Sequence, residues 1–273
     1  MNKRQKVDAM DLGLKGKTAL VSASTAGIGF SIAEQLAVEG VTVYINGRSE
    51  ERVQSAIDTI TEKHPKAMLK PLVANLATKE GFEIAVKKVP AVDILVNNLG
   101  IYEVKSFEEI SDSDWSRFFE INVLSGIRLS RHFLPAMKSK NWGRVIFISS
   151  ESGLQIPVEM IHYGVSKTCQ IALARGLAES LAGSGVTVNS VLPGPTRSEG
   201  VETFIEQLAH EKNMTVQAVE NDFFKNVRPS SLLKRFETTD EIAAIVTFVC
   251  SEAASAITGS AIRAEGGVLR TIA

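Results

Sequence analysis

The stretch Ser22–Gly29, which reads SASTAGIG, decides the fold of this 273-residue chain. It follows the apolar run Thr18–Val21 and leads directly into apolar residues at helical spacing, namely Ile28, Ile32 and Leu36. Glycines at a turn between a strand and a helix let the backbone approach a pyrophosphate, whose charge the helix N-terminus stabilises. The stretch therefore predicts a phosphate-binding turn, with a tight turn that merely needs small residues as the alternative.

The same strand-turn-helix pattern recurs along the chain. Short apolar runs typical of buried strands occupy positions 41–45, 67–73, 94–96, 145–148, 186–191 and 260–264. Helical patterns lie between them, at about 49–63, 78–88, 111–138, 161–182, 199–225 and 239–250. Repeated β-α-β units with nearly all-apolar strands predict a parallel sheet with helices on both faces. Right-handed crossovers make this a doubly wound, Rossmann-type α/β fold with three αβα layers.

Length and charge bound the possible functions. We expect one domain over residues 12–273, preceded by a polar arm at residues 1–11. The 30 Lys and Arg nearly cancel the 31 Asp and Glu, so the net charge of −1 favours neither nucleic acid nor a membrane as a partner. The longest apolar stretch, Ile242–Cys250, is too short to span a bilayer. No apolar run of signal-peptide length precedes Gly13, and we expect a cytoplasmic protein.

The two cysteines, Cys169 and Cys250, lie far apart in apolar stretches with helical patterns. Neither has the spacing to a second cysteine or to a histidine that a metal or redox site requires. We interpret them as buried small hydrophobic residues of a protein in a reducing compartment, and we expect no metal ion.

Tyr163 and Lys167 are four residues apart, which places them on one face of a helix. Free tyrosine has a pKa of about 10, too high for a base at neutral pH. A neighbouring ammonium and the positive ring of an oxidised nicotinamide would both favour the phenolate. Tyr163 could then donate a proton to a carbonyl oxygen, or take one from an alcohol, as a hydride moves. Such a pair is common by chance, and Ser150, at the end of a strand thirteen residues earlier, gives it weight.

The joint order of these motifs resembles the short-chain dehydrogenase/reductase family, in its single-domain branch and with a pattern like that of the 3-oxoacyl-carrier-protein reductases. The family's T-G-x-x-x-G-x-G turn is similar to residues 22–29, where Ala23 replaces the first glycine. The family's Ser…Tyr-x-x-x-Lys arrangement is matched by Ser150, Tyr163 and Lys167. The resemblance spans about residues 12–268, with further matches at Asn97–Gly100, Pro193-Gly194 and Glu265–Gly267.

The resemblance implies a role for each matched residue. Tyr163 is the general acid and base, Lys167 lowers its pKa and binds the nicotinamide ribose, and Ser150, rather than Ser149, orients the substrate oxygen. Asn122 completes the tetrad and holds a water that links Lys167 to solvent. The implied dinucleotide contacts are Ser22, Ala23, Ser24, Thr25, Gly27, Ile28, Gly29, Arg48, Asn75, Leu76, Asn98, Gly100, Tyr163, Lys167, Pro193, Gly194, Thr196 and Ser198.

The end of the second strand decides which dinucleotide is expected. A carboxylate there would hydrogen-bond the ribose of NAD and repel the 2′-phosphate of NADP. The segment Asn46–Ser49 has none, and Arg48 can bind a phosphate through two charge-assisted hydrogen bonds. We therefore expect NADP(H) rather than NAD(H). The alternative for Arg48 is a solvated loop cation, and Ala26 stands where many NADP-binding family members have a second basic residue.

We expect an oxidoreductase that moves a hydride between NADP(H) and the carbonyl or secondary alcohol of a small molecule. The resemblance implies a substrate lid at about 197–235 and a homodimer or homotetramer formed through the helices at 111–138 and 161–182. Two alternatives stay open: a dinucleotide-sensing regulatory protein without turnover, and an NAD-dependent alcohol dehydrogenase of the same family. The short C-terminal tail argues against a third, an epimerase or dehydratase with a larger substrate domain.

Overall fold

The computed structural model describes residues 10–272, in which strands and helices alternate along the chain. The predicted polar arm lies outside the described residues except for Met10 and Asp11. The strands are β1 (Thr18–Val21), β2 (Thr42–Gly47), β3 (Met68–Val73), β4 (Ile94–Asn97), β5 (Gly143–Ile148), β6 (Val186–Pro193), β7 (Thr196–Arg197), β8 (Glu237–Thr238) and β9 (Ala261–Ala264). The helices are α1 (Gly27–Val38), α2 (Glu50–Lys63), α3 (Lys79–Lys88), α4 (Asp112–Phe118), α5 (Ser125–Ser139), α6 (Ile161–Ser180), α7 (Glu199–Glu211), α8 (Val216–Asp222) and α9 (Thr239–Val249).

Seven strands form one parallel sheet in the order β3-β2-β1-β4-β5-β6-β9. The chain winds from β1 out to the edge at β3, crosses back to β4, and then winds to the opposite edge. This order confirms the predicted doubly wound fold. Because the winding direction reverses between β1 and β4, a crevice opens at the carboxyl ends of these two neighbours.

The strands at the centre of the sheet are buried on both faces. Leu20 and Val21, adjacent in β1, point to opposite sides, as the pleat of a strand requires, and each enters a different apolar layer. The layer around Val21 contains residues of α1, α2 and α9, and the layer around Leu20 contains residues of α3, α5 and α6. Burial of these two layers fixes the register of the sheet and so the relative positions of its loops.

Strand β3 differs from the expectation of nearly all-apolar strands. It contains Lys70 and Pro71, and its residues are mostly exposed or half-buried. Its position explains this composition, because β3 is an edge strand paired only with β2. Proline and lysine are tolerated at a sheet edge, where one row of backbone groups is free of ladder hydrogen bonds.

The predicted long helix at 111–138 is divided by a wider turn. Ser111 and Asp114 form a reciprocal capping box at the start of α4, in agreement with the cap-like residues in the sequence. Residues Phe119–Leu124 then adopt a π-helical turn before α5 continues to Ser139. Such turns shift the backbone carbonyls out of the α-helical register. The predicted catalytic residue Asn122 lies within this turn and is buried.

The predicted lid corresponds to α7, α8, a π-helical turn at Phe223–Val227 and the loop that leads to β8. These elements have an apolar cluster of their own, in which Phe223, Phe224 and Phe236 pack with ring centroids 5.0–5.1 Å apart. Two short strands, β7 and β8, pair in parallel at the base of the lid and tie its two ends together. We refer to residues 197–236 as the lid.

No helix among residues 10–272 combines the length and the apolar character needed to cross a membrane. The same part of the chain contains no cluster of three or more His, Cys, Asp or Glu side chains placed to hold a metal ion.

Candidate active site

The turn Ser22–Gly29 and the segment after β4 meet in the crevice between β1 and β4. The hydroxyl oxygen of Ser22 accepts hydrogen bonds from the backbone N–H groups of Asn98 and Leu99, both at 2.9 Å. The side-chain amide of Asn98 donates in return to the carbonyls of Ser22 and Ala23, at 3.0 and 3.1 Å. These reciprocal hydrogen bonds hold the floor of the crevice in one conformation.

Gly29 lets the start of the first helix pack closely against the turn. A Cβ atom at this position would lie 2.4 Å from Nδ2 of Asn98 and 2.5 Å from the carbonyl oxygen of Ala23, closer than side chains pack. Gly27 has a positive φ of 58°, a conformation that favours glycine. The first helix therefore begins with its N–H groups against a turn that is free of side-chain bulk, which is the geometry that receives a pyrophosphate.

Ala23, which replaces the first glycine of the family's turn, also has a positive φ, of 52°. The backbone has thus kept the left-handed conformation that a glycine would adopt, although alanine adopts it at an energetic cost. Asn46 at the end of β2 supports this conformation. Its Oδ1 accepts from the N–H of Ala23 at 3.0 Å, and its Nδ2 donates to the carbonyls of Leu72 and Ala74, both at 3.0 Å.

Arg48 is exposed and directly follows the end of β2. The preceding residue, Gly47, lies against the turn, since a Cβ there would come within 2.6 Å of the Thr25 side chain. The backbone that carries Arg48 therefore lies beside the turn at residues 22–29. In the described part of the chain, no acidic side chain forms an ion pair with Arg48, and its hydrogen-bond donors remain available to an anion.

Ser150, Tyr163 and Lys167 line one cavity at the carboxyl end of β5. The cavity has a volume of about 480 Å³. Ser150 follows β5 by two residues, whereas Tyr163 and Lys167 are on the same face of α6. The Nζ of Lys167 lies 5.6 Å from the ring centroid of Tyr163 and donates to the carbonyl of Ile148 at 2.9 Å. The structure therefore brings these three predicted residues together.

Asn122 lies behind Lys167 and is held through its side chain. Its Oδ1 accepts from the N–H of Ile101 at 2.8 Å, and its Nδ2 donates to the carbonyl of Ile101 at 3.0 Å and to the hydroxyl of Ser166 at 2.9 Å. Its backbone carbonyl accepts from the side-chain amide of Gln170 at 2.6 Å. Asn122 thus connects the π-helical turn, the loop after β4 and α6.

Burial dominates the protonation of the two titratable residues. It raises the pKa of Tyr163 far above that of free tyrosine, while a hydrogen bond with Ser150 acts in the opposite direction. Burial also lowers the pKa of Lys167 to about 8. The resemblance implies that Lys167 lowers the pKa of Tyr163, but in the chain by itself desolvation of the phenol dominates, and the groups that oppose it are Ser150 and Arg228. A phenolate at neutral pH therefore needs a further positive charge at the site.

Apart from Ala23, Thr25, Gly27 and Gly29 of the turn itself, the residues predicted to contact a dinucleotide fall into three groups. Those that line the cavity are Ile28, Asn98, Gly100, Tyr163, Lys167, Pro193, Gly194, Thr196 and Ser198. Ser22, Ser24 and Leu76 are buried, and their side chains brace the turn or pack in the core rather than face the crevice. Arg48 and Asn75 are exposed beyond the ends of β2 and β3.

A charged cluster lies beside Ser150 that the sequence pattern does not indicate. Ser150 donates its hydroxyl hydrogen to the carboxylate of Glu151. Glu151 also forms an ion pair with Arg228 of the lid, Nε to Oε1 at 3.3 Å, and Arg228 reaches Glu159 at 3.4 Å. Glu151 could have been suspected because it adjoins Ser150. Nothing in the spacing identifies Arg228, which is 77 residues away from Glu151.

His162, the neighbour of Tyr163, points away from the cavity. Its ring is fully buried, 3.9 Å from the centroid of Phe118 and 6.2 Å from that of Trp115. Burial lowers the pKa of His162 and favours its neutral form. These contacts assign His162 to the packing between α4 and α6.

Comparison with known proteins agrees with this geometry. Residues 17–209 match the family described as short chain dehydrogenase. The chain is 49% identical over 263 residues to the uncharacterized oxidoreductase YvaG of Bacillus subtilis (strain 168), covering 96% of this chain and 100% of that protein. It is 34% identical over 262 residues to the 3-oxoacyl-[acyl-carrier-protein] reductase FabG of Aquifex aeolicus, covering 95% of this chain and 100% of that protein.

A solved structure shows the same architecture. L-sorbose reductase from Gluconobacter frateurii, crystallised with NADPH and L-sorbose, aligns with a TM-score of 0.89 at 28% identity and covers 96% of this chain and 100% of that chain. The matched family, the full-length relatives and the solved structure with the same fold all agree on one family. The chain therefore belongs to the short-chain dehydrogenase/reductase family and is an oxidoreductase of that family.

Proposed function

We propose that this protein is an NADP(H)-dependent oxidoreductase that interconverts a carbonyl group and a secondary alcohol in a small molecule. The observation that carries the proposal is the position of Ser150, Tyr163 and Lys167 on one cavity, which continues into the crevice beside Gly29. A sensor of dinucleotides would need the crevice but not an acid-base pair next to it.

The chemistry follows from the arrangement of the side chains. When bound, the reduced dinucleotide supplies the hydride. Tyr163 donates a proton to the substrate oxygen during reduction and takes it back during oxidation. Ser150 directs its hydroxyl hydrogen to Glu151 and accepts from the N–H of Ser152, and it becomes a donor to a substrate carbonyl when its hydroxyl rotates. Lys167 has an N–H available for the ribose and adds positive charge beside Tyr163.

Two positive charges, that of Lys167 and that of a bound oxidised nicotinamide, explain how a phenol with a raised pKa can act as a base. Burial favours neutral Tyr163, whereas the ammonium of Lys167 and the cationic ring of an oxidised nicotinamide favour the phenolate. Proton transfer in the oxidation direction is therefore coupled to binding of the oxidised dinucleotide. In the reduction direction, neutral Tyr163 is the form that donates, and the site by itself already provides it.

Two observations support NADP(H) over NAD(H). Arg48 is exposed beside the turn and forms no ion pair with an acidic residue of the described chain. The similar L-sorbose reductase was crystallised with NADPH. A 2′-phosphate placed against Arg48 would form charge-assisted hydrogen bonds that the 2′-hydroxyl of NAD cannot form.

The cavity walls limit the substrate. Lid residues Ile205, Leu208 and Phe223 form an apolar wall, while Glu151 and Arg228 make the end next to Ser150 polar. We propose a substrate that places its reacting oxygen at this polar end and an apolar part against the lid. We also propose that the protein is cytoplasmic and forms a homodimer or homotetramer through the α4–α5 and α6 helices. Light scattering that shows only a monomer at micromolar concentration would contradict the assembly.

Titration of the purified protein with NADPH and with NADH, followed by tryptophan fluorescence, tests the proposal first. We expect NADPH to bind more tightly, and Arg48→Asp to lose most of that preference. A screen of carbonyl compounds with NADPH should then give turnover that Tyr163→Phe reduces by a factor of about 10²–10⁴, because the proton donor is removed. Binding of NADPH by Tyr163→Phe serves as the control for folding. Absence of binding of either dinucleotide to wild type would refute the proposal.

A further inference from the structure

Gln170 is a buried amide that joins two residues of the predicted tetrad. Its side chain is on α6 and 1% exposed. Its Oε1 accepts from Nζ of Lys167 at 3.2 Å, and its Nε2 donates to the backbone carbonyl of Asn122 at 2.6 Å. A glutamine buried to this extent is stable only when both ends of its amide are paired, and both ends are paired here within the active site.

The helix geometry explains how one side chain reaches both partners. Lys167 and Gln170 are three residues apart on α6 and therefore lie on one face. Opposite them, the π-helical turn Phe119–Leu124 displaces backbone carbonyls from the α-helical pattern. Two successive carbonyls of this turn accept from side chains, that of Ile121 from the hydroxyl of Ser125 and that of Asn122 from Gln170.

The orientation of the Lys167 ammonium follows from this contact. An ammonium has three N–H donors. One donates to the carbonyl of Ile148 and one to Gln170, which leaves the third for the cavity that Lys167 lines. Without Gln170, the side chain would keep one protein acceptor and could rotate about it.

We propose that Gln170 is a positioning residue for proton transfer, which holds the ammonium of Lys167 charged and directed toward Tyr163 and the ribose site. This inference rests on the proposed function. The family resemblance connects Asn122 to Lys167 through a water, whereas here a side-chain amide connects them directly. An amide does not exchange its protons readily at neutral pH, so this bridge orients Lys167 without relaying protons.

The effect of Gln170 on Tyr163 passes through Lys167. The other polar or charged groups near Tyr163 are Ser150 and Glu151 after β5, Tyr102 after β4, and Arg228 of the lid. In the described part of the chain, Gln170 hydrogen-bonds none of them. A substitution at position 170 that changes the titration of Tyr163 therefore reports on Lys167.

The titration of Tyr163 can be measured without a substrate. The chain has three tyrosines, so labelling them with ¹³C at Cζ gives three NMR signals, of which Tyr163→Phe identifies one. The measurement is made on the complex with NADP⁺, for wild type, Gln170→Met and Gln170→Glu. The exposed glutamine of α2, in Gln54→Met, provides the matched control.

We expect both Gln170 variants to raise the titration midpoint of Tyr163 by at least about half a pH unit, with NADP⁺ still bound. In Gln170→Met, the buried ammonium loses an acceptor and deprotonates earlier, so the phenolate loses its cationic partner. In Gln170→Glu, a carboxylate neutralises the ammonium. Gln54→Met should titrate as wild type. If one Gln170 variant fails to fold, the other still decides.

The outcomes separate the two proposals. A wild-type complex in which Tyr163 titrates below the value of free tyrosine, together with variants that titrate as wild type, would overturn the role of Gln170 alone. A wild type that does not bind NADP⁺ would overturn the proposed function and, with it, the inference about Gln170.

Discussion

The backbone N–H of Ala23 donates to Oδ1 of Asn46 across 3.0 Å, which ties the turn after β1 to the end of β2. The amide nitrogen of Asn46 simultaneously donates to the carbonyls of Leu72 and Ala74. An aspartate at position 46 could accept from Ala23 but would place a carboxylate against those two carbonyls. Asparagine therefore satisfies all three of these backbone groups, which an aspartate could not do. The same amide holds Ala23 in its left-handed conformation.

We expect Ala23→Gly to stabilise the protein modestly. A non-glycine residue pays about 1–2 kcal/mol for the left-handed region, and glycine loses about 0.5–1 kcal/mol through its greater freedom in the unfolded chain. The net increase in the free energy of unfolding should be about 0.5 kcal/mol, measured by urea denaturation. Ala26, in the same turn but with an extended φ of −159°, is the control. An equal gain in Ala26→Gly would show that φ is not the cause.

Gly29→Ala should impair dinucleotide binding and folding together. The added Cβ would lie 2.4 Å from the side chain of Asn98 and 2.5 Å from the carbonyl of Ala23, so the turn must move. We expect destabilisation of about 1–3 kcal/mol and at least about tenfold weaker binding of NADPH in fluorescence titration. Gly176→Ala on α6, where nothing lies within 4 Å of the new Cβ, should leave binding unchanged. Unimpaired binding by Gly29→Ala would contradict the proposed approach of the pyrophosphate.

Arg228→Gln should loosen the lid where it contacts Glu151, the neighbour of Ser150. The side chains of Arg228 and Glu151 are 12% and 8% exposed, so removal of the cation leaves a buried carboxylate with fewer partners. We expect a loss of about 3 kcal/mol or more in the free energy of unfolding. Arg228→Lys should restore only part of it, because an ammonium cannot reach two carboxylates with the geometry of a guanidinium.

The matched control for Arg228 is the ion pair of Arg175 and Glu179 on the surface of α6. Their side chains are 64% and 62% exposed, and Arg175→Gln should cost no more than about 0.5 kcal/mol. A double-mutant cycle of Arg228→Gln with Glu151→Gln measures the coupling directly. Coupling near zero in that cycle would show that the lid is not held by this pair.

The dependence of stability on pH should carry a contribution from Glu237. Burial raises the pKa of this carboxyl to about 7, and the nearby Glu151 and Glu265 act in the same direction. A folded pKa above the unfolded value means that stability is highest below the ordinary pKa and is lost as the pH rises toward and beyond 7. Glu237→Gln retains an acceptor for the N–H of Gly194. We expect this variant to gain roughly 2 kcal/mol more, relative to wild type, at about pH 8 than at about pH 5.

Glu241 provides a control of opposite sign for that measurement. Its hydrogen bond with Arg235 lowers the pKa of the Glu241 carboxyl to about 2. Stability from this group is therefore present above its ordinary pKa and is lost only as the pH falls toward 2. Glu241→Gln should lose stability at neutral pH. Thermal unfolding of Glu237→Gln and Glu241→Gln across pH measures both effects. If Glu241→Gln also became more stable than wild type at high pH, the gain in Glu237→Gln would reflect the loss of one negative charge rather than the burial of Glu237.

The features that could be predicted from the sequence are those set by local spacing. Alternating strand and helix patterns indicate a doubly wound parallel sheet, and Tyr163 and Lys167 meet because they are four residues apart on one helix. Ser150 was predictable because the carboxyl ends of parallel strands open on the same side of the sheet. Residues 22–29 were predictable as a turn because glycines stand between a strand pattern and a helix pattern. The structure gives the reason for one of them, since a side chain on Gly29 would collide with Asn98 and Ala23.

The features that could not be predicted depend on pairings between distant segments. Gln170 reads as one more residue of an amphipathic helix until the π-helical turn, 48 residues earlier, is placed against it. Arg228 reads as a loop cation until the lid folds over Glu151. Ser22 and Asn98 were expected to contact a ligand, yet much of their hydrogen bonding is internal. Sequence identifies such residues as polar and near the site, but only packing decides which partner each one takes.

The aromatic cluster of the lid has a consequence for how this enzyme can diversify. Phe223, Phe224 and Phe236 bury one another apart from the two apolar layers that hold the sheet. We therefore expect changes to the proposed substrate wall to be absorbed within the lid, without changes to the layers that place Tyr163 and Lys167. We expect that substrate specificity in this protein can evolve, or be engineered, through substitutions in the lid while the sheet and α6 remain unchanged.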